Sequence, residues 1–308
     1  MESRHLESRS IVLAKRRPSL AIIIASTGRP REILQWKDHL QRQTRNPDLF
    51  CIAVSGPDDL PVLDDWPLQC DVIISPRGLP IQRNAGLAHA IDRADIVAFF
   101  DDDYVPSRTA VADIVALFHA NEDLIAASGH LLLDGIGGAG LSYATALAAV
   151  DAYDRCPPPP VWLRAHPGGL YGCIMVYRSR AIGDVRFDEQ LPLYGWLEDV
   201  DFGCALVGRG LIAYTNAFAG VHQGIKHGRT SGVKLGYSQV ANPVYLWRKG
   251  TLRQTAMLRF IARHAAKNLA RSWFPEPWID RAGRLKGNVL ALRDLLRGRL
   301  HPTNILDL

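Results

Sequence analysis

The chain has 308 residues, 47% of them hydrophobic and 22% charged, enough for one large or two small domains with an ordinary core. Its five cysteines are odd in number, widely spaced and without a C-x-x-C pair, which argues against a disulfide framework or a zinc site and for a reducing cytosol. The net charge of +5 belongs to the ends: residues 251–308 carry eleven basic and four acidic residues and 1–17 carry five and two, leaving 18–250 at −5, so no nucleic-acid groove is expected.

Residues 1–17 read as a basic flexible arm ending in Lys15-Arg-Arg-Pro18, with no apolar core of a secretory signal. No run reaches the eighteen or so apolar residues of a spanning helix. Leu20–Ala25 is a fully apolar strand closed by Ser26-Thr-Gly-Arg-Pro30, and a helix follows from Glu32 to about Arg42 with Ile33, Trp36 and Leu40 on one side. Phe50–Ser55 is the next strand, ending in Gly56-Pro-Asp58, and Cys70–Ser75 is a shorter one.

Arg77-Gly-Leu-Pro80 turns into a helix, since proline suits a first turn. Arg83 and Asn84 stay polar there, where backbone N–H groups and a guanidinium can hold an anion such as a diphosphate. The alternative is an exposed arginine and asparagine with no ligand. Ile96-Val-Ala-Phe-Phe runs straight into Asp101-Asp-Asp103, Tyr104, Val105 and Pro106. A continuous apolar run suits a strand covered on both faces, as in a parallel sheet, where ligands bind beyond the carboxyl ends of the strands. Three adjacent carboxylates repel one another, and a hard divalent cation, Mg²⁺ or Mn²⁺, relieves that repulsion. A solvated acidic turn is the competing reading.

Thr109–His119 is an amphipathic helix, and Leu124–Leu133 returns to strand. The Gly/Pro-rich stretch 134–171, with an Ala-rich helix to about Tyr153, reads as a loop over the site. Tyr171–Ser179 is a strand. In Leu193–Gly203, Glu198, Asp199 and Asp201 open a helix, and acids there can simply answer the helix dipole. Tyr194 and Trp196, just before them, offer a platform for the apolar face of an acceptor sugar. Ile212–Tyr214 reads as the last strand. His222 and His227 follow in a glycine-rich basic loop, a metal or phosphate environment unless the two are structural.

Together these motifs resemble glycosyltransferase family 2. The matching features are the first strand with Thr27 and Arg29, Gly78-Leu79 with Arg83-Asn84-Ala-Gly86, the Asp101-Asp102-Asp103 triplet, and Trp196-Leu-Glu-Asp199 about a hundred residues later. The resemblance implies an α/β chain of GT-A fold: a Rossmann-like mixed, mostly parallel sheet flanked by helices. It spans 18–250, with a nucleotide-binding half at 18–133 and an acceptor half at 134–250. It implies an inverting, metal-dependent transfer from a nucleotide sugar, a UDP-sugar foremost, to a hydroxyl of a carbohydrate or lipid-linked acceptor. By the resemblance Asp101 meets the ribose or base, Asp102 belongs to the same nucleotide-binding element, and Asp103 binds a Mn²⁺ or Mg²⁺ ion bridging the diphosphate. Thr27, Arg29, Ser55 and Asp58 line the nucleotide pocket. Asp199 is the catalytic base, Glu198 orients the acceptor, and His222, ahead of His227, supplies a further metal ligand. The alternatives are a sugar-nucleotide nucleotidyltransferase, for which Ser26-Thr-Gly-Arg-Pro30 is a poor phosphate loop, and a non-catalytic carbohydrate-binding protein.

Beyond the motifs, 251–308 reads as a basic amphipathic helical extension. Arg259, Arg263, Lys267 and Arg271 recur every fourth residue, as do Met257, Ile261, Ala265 and Leu269. A second helix follows Pro275 and Pro277, with Ile279, Ala282, Leu285, Val289, Leu292 and Leu296 at helical spacing. Either both apolar strips pack on the catalytic body, or the segment lies on the anionic inner face of the plasma membrane and brings a cytoplasmic enzyme of cell-surface polysaccharide or glycolipid synthesis to its acceptor.

Overall fold

The computed structural model describes residues 16–166, 168–228 and 230–308, so all but the last two residues of the basic arm lie outside it. In chain order the first elements are β1 (Leu20–Ala25), α1 (Pro30–Arg42), β2 (Leu49–Val54), β3 (Cys70–Ile74), α2 (Leu79–Ala90), β4 (Ile96–Asp101), β5 (Tyr104–Pro106) and α3 (Ala110–Ala120). They continue with β6 (Leu124–Asp134), α4 (Tyr143–Asp154), β7 (Leu163–Ala165), β8 (Ile174–Arg178), α5 (Ser179–Ile182) and α6 (Glu198–Cys204). The chain closes with β9 (Leu211–His222), α7 (Gly232–Lys249), α8 (Gln254–Arg271) and α9 (Arg281–Leu296).

The strands form one mixed sheet in the order β3-β2-β1-β4-β8-β6-β9-β5, with β7 beside β9. β1 pairs in parallel with both β2 and β4, and β8 is antiparallel to β4 and β6. The apolar runs become its centre because both faces are covered. Ile22, Ile24, Ile52, Ala98 and Phe100 pack under Ile33, Trp36 and Leu40 of α1 and Ile114 and Phe118 of α3. Alternate residues Ile23, Cys51, Val97 and Phe99 meet Leu87 and Ala90 of α2 and Phe202 of α6 on the other face. Chain direction diverges at β1 and β4, so their carboxyl ends open the crevice that such sheets use for ligands.

Three features depart from the reading of the sequence. The acid triplet is a tight turn between two strands, the second of them not read from the sequence: the chain leaves the sheet at Asp101 and re-enters at Tyr104, which pairs with His222. β9 does not stop near Tyr214; it runs on to His222, pairing with β6 through three register breaks that leave Asp134 opposite His222. Residues 232–249, unassigned in the sequence, form α7, the centre of a C-terminal bundle with α8 and α9.

In that bundle Tyr237, Val240, Ala241 and Val244 of α7 meet Met257 and Ala291, and also Leu191 and Leu197 beside α6. α9 is turned opposite to the inward-packing alternative: Ala282, Val289, Leu292 and Leu296 face out, while Arg281, Gly287, Asn288 and Ala291 face in. The cause is steric. A Cβ at Gly236 would run into the Arg284 backbone and one at Gly287 into the Val233 carbonyl, so α7 and α9 approach too closely for a leucine stripe between them.

Candidate functional site

Sheet edges and loops converge on one cavity of ≈ 370 Å³ at the carboxyl ends of β1 and β4. Asp101, Asp103 and His222 each bring one ligand atom to a cluster whose atoms all lie within 4.8 Å of one another. His222 Nε2 stands 3.4 Å from Asp103 and 3.8 Å from Asp101. Its Nδ1 is 2.8 Å from Asp134, whose other oxygen accepts from the Tyr171 hydroxyl at 3.0 Å. Burial opposes a charge on His222, but hydrogen bonds to Asp103 and Asp134 outweigh it and raise the ring to about 10. Burial likewise works to raise Asp103, yet the His222 hydrogen bond and charge, Arg29 and the Ile225 amide hold it low. Two carboxylate oxygens and an imidazole oriented by a third carboxylate, Asp134, make a donor set that fits a divalent cation. Asp101, expected at the nucleotide, lines the cavity as a member of this cluster.

Asp102 points elsewhere. It is buried, accepts from the Ser26 hydroxyl at 2.6 Å and from Arg29 at 2.9 Å, and is pushed up to about 6 by burial despite Arg29. Arg29 also lies 3.9 Å from Asp103 and donates to the carbonyls of Ile225 and His227 at 3.2 and 3.0 Å. It clasps the acid turn to the loop after β9, so its charge is engaged by protein rather than free for a nucleotide. His227 lies outside the cation cluster, 3.3 Å from Glu32.

Thr27 lines the cavity and shares a 2.6 Å hydrogen bond with Ser55, which stands behind it. Asp58 is exposed on a short turn outside the cavity lining, and its neighbour Asp59 is the buried acid, accepting from the amides of Gly28 at 2.6 Å and Ser55 at 2.9 Å. Asn84 does not line the cavity either. Its amide is spent on Phe187 and Glu189 at 2.8–2.9 Å, so it fastens α2 to the 187–189 segment and cannot hold an anion.

The second acid pair arrives on a strained turn. Leu193, Gly195 and Leu197 all have positive φ (59°, 60° and 74°), a conformation unfavourable for leucine. The turn is held by Leu79 N–H on the Leu193 carbonyl (2.8 Å) and by Asn242 on the Trp196 carbonyl (2.7 Å). It delivers Glu198 and Asp199 into the cavity. Glu198 is ion-paired with buried Arg83, which also donates to Asp101 at 3.0 Å and the Gly172 carbonyl at 2.8 Å. Arg83 therefore bridges the two acid groups in place of the anion expected at α2. Burial raises Glu198 to about 8 even against the Arg83 charge. Asp199, raised by burial, accepts from the amides of Gly172 (2.9 Å) and Val200 (2.8 Å). A side chain at 172 would crowd it, since a Cβ there would lie 3.1 Å from its oxygen. Asp201 turns away to Lys249 at 2.6 Å.

Tyr194 is exposed at the mouth, and Trp196 is half-buried with its ring edge-on to Phe260 (5.9 Å) and His264 (4.9 Å) of α8. Phe260, His264, Asp134, Tyr171 and Gln82 were not singled out from the sequence. Asp134 had a signal: like Asp101, it ends an apolar strand. Phe260 and His264 had none, because only the folding of α8 onto the Trp196 turn brings them to the cavity.

No protein-family model and no curated protein matches the sequence. Solved structures do. A mannosyltransferase from Pyrobaculum calidifontis, determined with GDP-Man and Mn²⁺, is 16% identical over 95% of this chain and 86% of that one, with TM-score 0.51. S. aureus TarS 1-349 is 13% identical over 91% of this chain and 80% of that one, with TM-score 0.52, and a second structure of it holds UDP. Of the longer TarS chain it matches, this chain spans 39%. At these identities the likeness is one of fold: a mixed, mostly parallel sheet flanked by helices, the GT-A fold of glycosyltransferases.

Proposed function

We propose that this protein is an inverting glycosyltransferase of the family 2 type, moving a sugar from a nucleotide-sugar donor to a hydroxyl acceptor. The observation that carries the reading is the Asp101–Asp103–His222 cluster, braced by Asp134, sharing one cavity with Asp199. The nucleotides and Mn²⁺ held by the two solved proteins of this fold support it. Asp101, Asp103 and His222 would hold a Mn²⁺ or Mg²⁺ ion, which when bound neutralises charge on a leaving diphosphate. Thr27, Ser26 and Gln82 line the nucleotide side. Asp199, with one oxygen on the Gly172 amide and the other on the Val200 amide, is the base that takes the acceptor proton. Glu198 sets the geometry through Arg83 and lies beside the acceptor.

The test is turnover of UDP- and GDP-sugars with Mn²⁺ and water as acceptor. Slow release of nucleoside diphosphate, abolished by EDTA, is expected. Pyrophosphate-dependent release of nucleoside triphosphate would instead indicate a nucleotidyltransferase, and no turnover with any donor a carbohydrate-binding protein.

A lipid-linked acceptor at the cytoplasmic face of an anionic membrane completes the proposal. Among the described residues no helix is long and apolar enough to cross a membrane. The corner between α8 and α9, however, exposes Trp273 (79%) and Phe274 (78%), and the outward strip of α9 continues from it beside exposed Lys286, Arg293 and Arg297. The acids nearby are engaged: Glu276 by Arg281, Asp280 by capping α9 and Asp294 by Tyr237. Aromatics beside exposed cations suit an anionic lipid surface, where each cation contributes roughly 1 kcal/mol. The full chain should float with anionic but not neutral vesicles, and a Trp273→Ser/Phe274→Ser double variant should not. Equal flotation of both would remove the membrane from the proposal.

A further inference from the structure

His264 of α8 stands in the cavity wall with its ring 4.9 Å from that of Trp196. Among the described residues its ring makes one hydrogen bond, between Nδ1 and Gln239 Nε2 at 3.2 Å. The direction of that bond is fixed from the far end of a line of buried side chains. Arg281 can only donate. Glu276 holds its guanidinium at 2.9 and 3.0 Å, and its Nη1 meets Asn268 at 3.1 Å, so the Asn268 atom there is the carbonyl oxygen. Asn268 Nδ2 then donates to Gln239 Oε1 at 2.8 Å and to Asn288 Oδ1 at 2.9 Å, and Asn288 in turn donates to the Gly236 carbonyl at 2.7 Å. Gln239 is left with its amide N–H groups toward His264. Nδ1 must accept, so the neutral ring carries its proton on Nε2. Burial first, and then Arg263, Arg284, Lys267 and Arg281, lower the ring to about 4 and keep it neutral.

We propose that His264 is a pre-set hydrogen-bond donor to an oxygen of the glycosyl acceptor, its Nε2–H aimed by the relay Arg281–Asn268–Gln239. An N–H that cannot accept selects a hydroxyl or ether oxygen and disfavours a protonated amine at that position. Trp196 provides the apolar surface beside it. Holding the tautomer through side chains that are themselves 0–3% exposed means that the donor need not be reoriented when a sugar arrives.

The assignment rests on the glycosyl-transfer reading, so the tests separate the two. With ¹⁵N-histidine in the full chain, wild type should show Nδ1 bare and Nε2 protonated at neutral pH, and Asn268→Leu should lose that single-tautomer signature. Methyl glycosides, added with UDP or GDP and Mg²⁺, are the acceptor probe and should shift the Nε2 signal. In turnover, His264→Leu should lower the ratio of glycoside transfer to donor hydrolysis roughly tenfold or more, mostly through the acceptor KM, as expected for one lost hydrogen bond. His264→Gln, which retains an N–H donor, should recover most of it. A protonated Nδ1, an unmoved Nε2 signal with every glycoside, or an unchanged ratio in His264→Leu overturns the assignment while hydrolysis survives. Wild type that hydrolyses no donor overturns the transfer reading beneath it as well.

Discussion

In the sheet, Ile22, Ile52 and Phe100 lie inside and polar groups are driven to the strand ends; in the C-terminal bundle, Asn268, Asn288 and Arg281 lie inside while Leu292, Leu296 and Trp273 face out. Both regions show regular apolar spacing in the sequence. Spacing identifies which residues share a face but not which way that face turns. In the sheet the two coincide, because a strand between two neighbours has no outward side. On α9 close approach to α7 decides, and the small and amide residues go inward, where Asn288 bonds to Asn268 and to the Gly236 carbonyl. Polar groups at the sheet margin therefore gather around a cavity, whereas polar groups in the bundle tie helices together.

The sharpest test of that division is Asp103→Asn, which removes ligand charge at the sheet margin. Turnover should fall on the order of a thousandfold, corresponding to several kcal/mol of lost charge stabilisation, with the fold intact by circular dichroism. Wild-type turnover in this variant would break the comparison. Asp199→Asn should lower transfer by about a hundredfold or more while nucleotide affinity, read by calorimetry, persists.

In the bundle the expectation reverses. Arg281→Leu leaves Glu276 and Asn268 without their partner and should cost about 3 kcal/mol in denaturant unfolding, comparable with Phe99→Ala in the sheet. A neutral result would mean that the buried amides are ornamental. A smaller effect is expected with pH. The Arg281 hydrogen bonds, chiefly, hold Glu276 at about 2, below its ordinary value of 4.5. A lowered folded-state value stabilises above the ordinary one and is lost as pH falls through the lower one. The melting midpoints of wild type and Glu276→Gln should differ at pH 7 and converge between about 4.5 and 2. The least effect belongs to Leu296→Glu, at a side chain 89% exposed, where stability should move by no more than about 0.5 kcal/mol.

The same contrast explains what could be read in advance. β1, β2 and β4 were legible because Leu20–Ala25, Phe50–Val54 and Ile96–Phe100 are unbroken apolar runs, and β6 because apolar residues flank Ser128-Gly-His130 on both sides. The two acid groups were legible from abrupt changes of residue type. α7 was not, because Gly232, Gly236, Asn242 and Pro243 interrupt its pattern and are paid back only by contacts with α9 and the Trp196 turn. β7 is three residues long, and the far half of β9 contains Asn216 and Gly220. Asp58 and Asp59 are adjacent acids, and only the amides of Gly28 and Ser55 distinguish them. The His264 relay joins α7, α8 and α9, and no local pattern records a hydrogen bond made across three helices.

The pairing of β6 with β9 works as a ruler. Its three breaks are spaced so that Asp134 faces His222 across the ladder. A single residue inserted between Leu124 and Asp134 would slide Leu133 into that place and turn the acid to the opposite face of the sheet. The Asp101–Asp103–His222 cluster is thus metered by residue count along two strands.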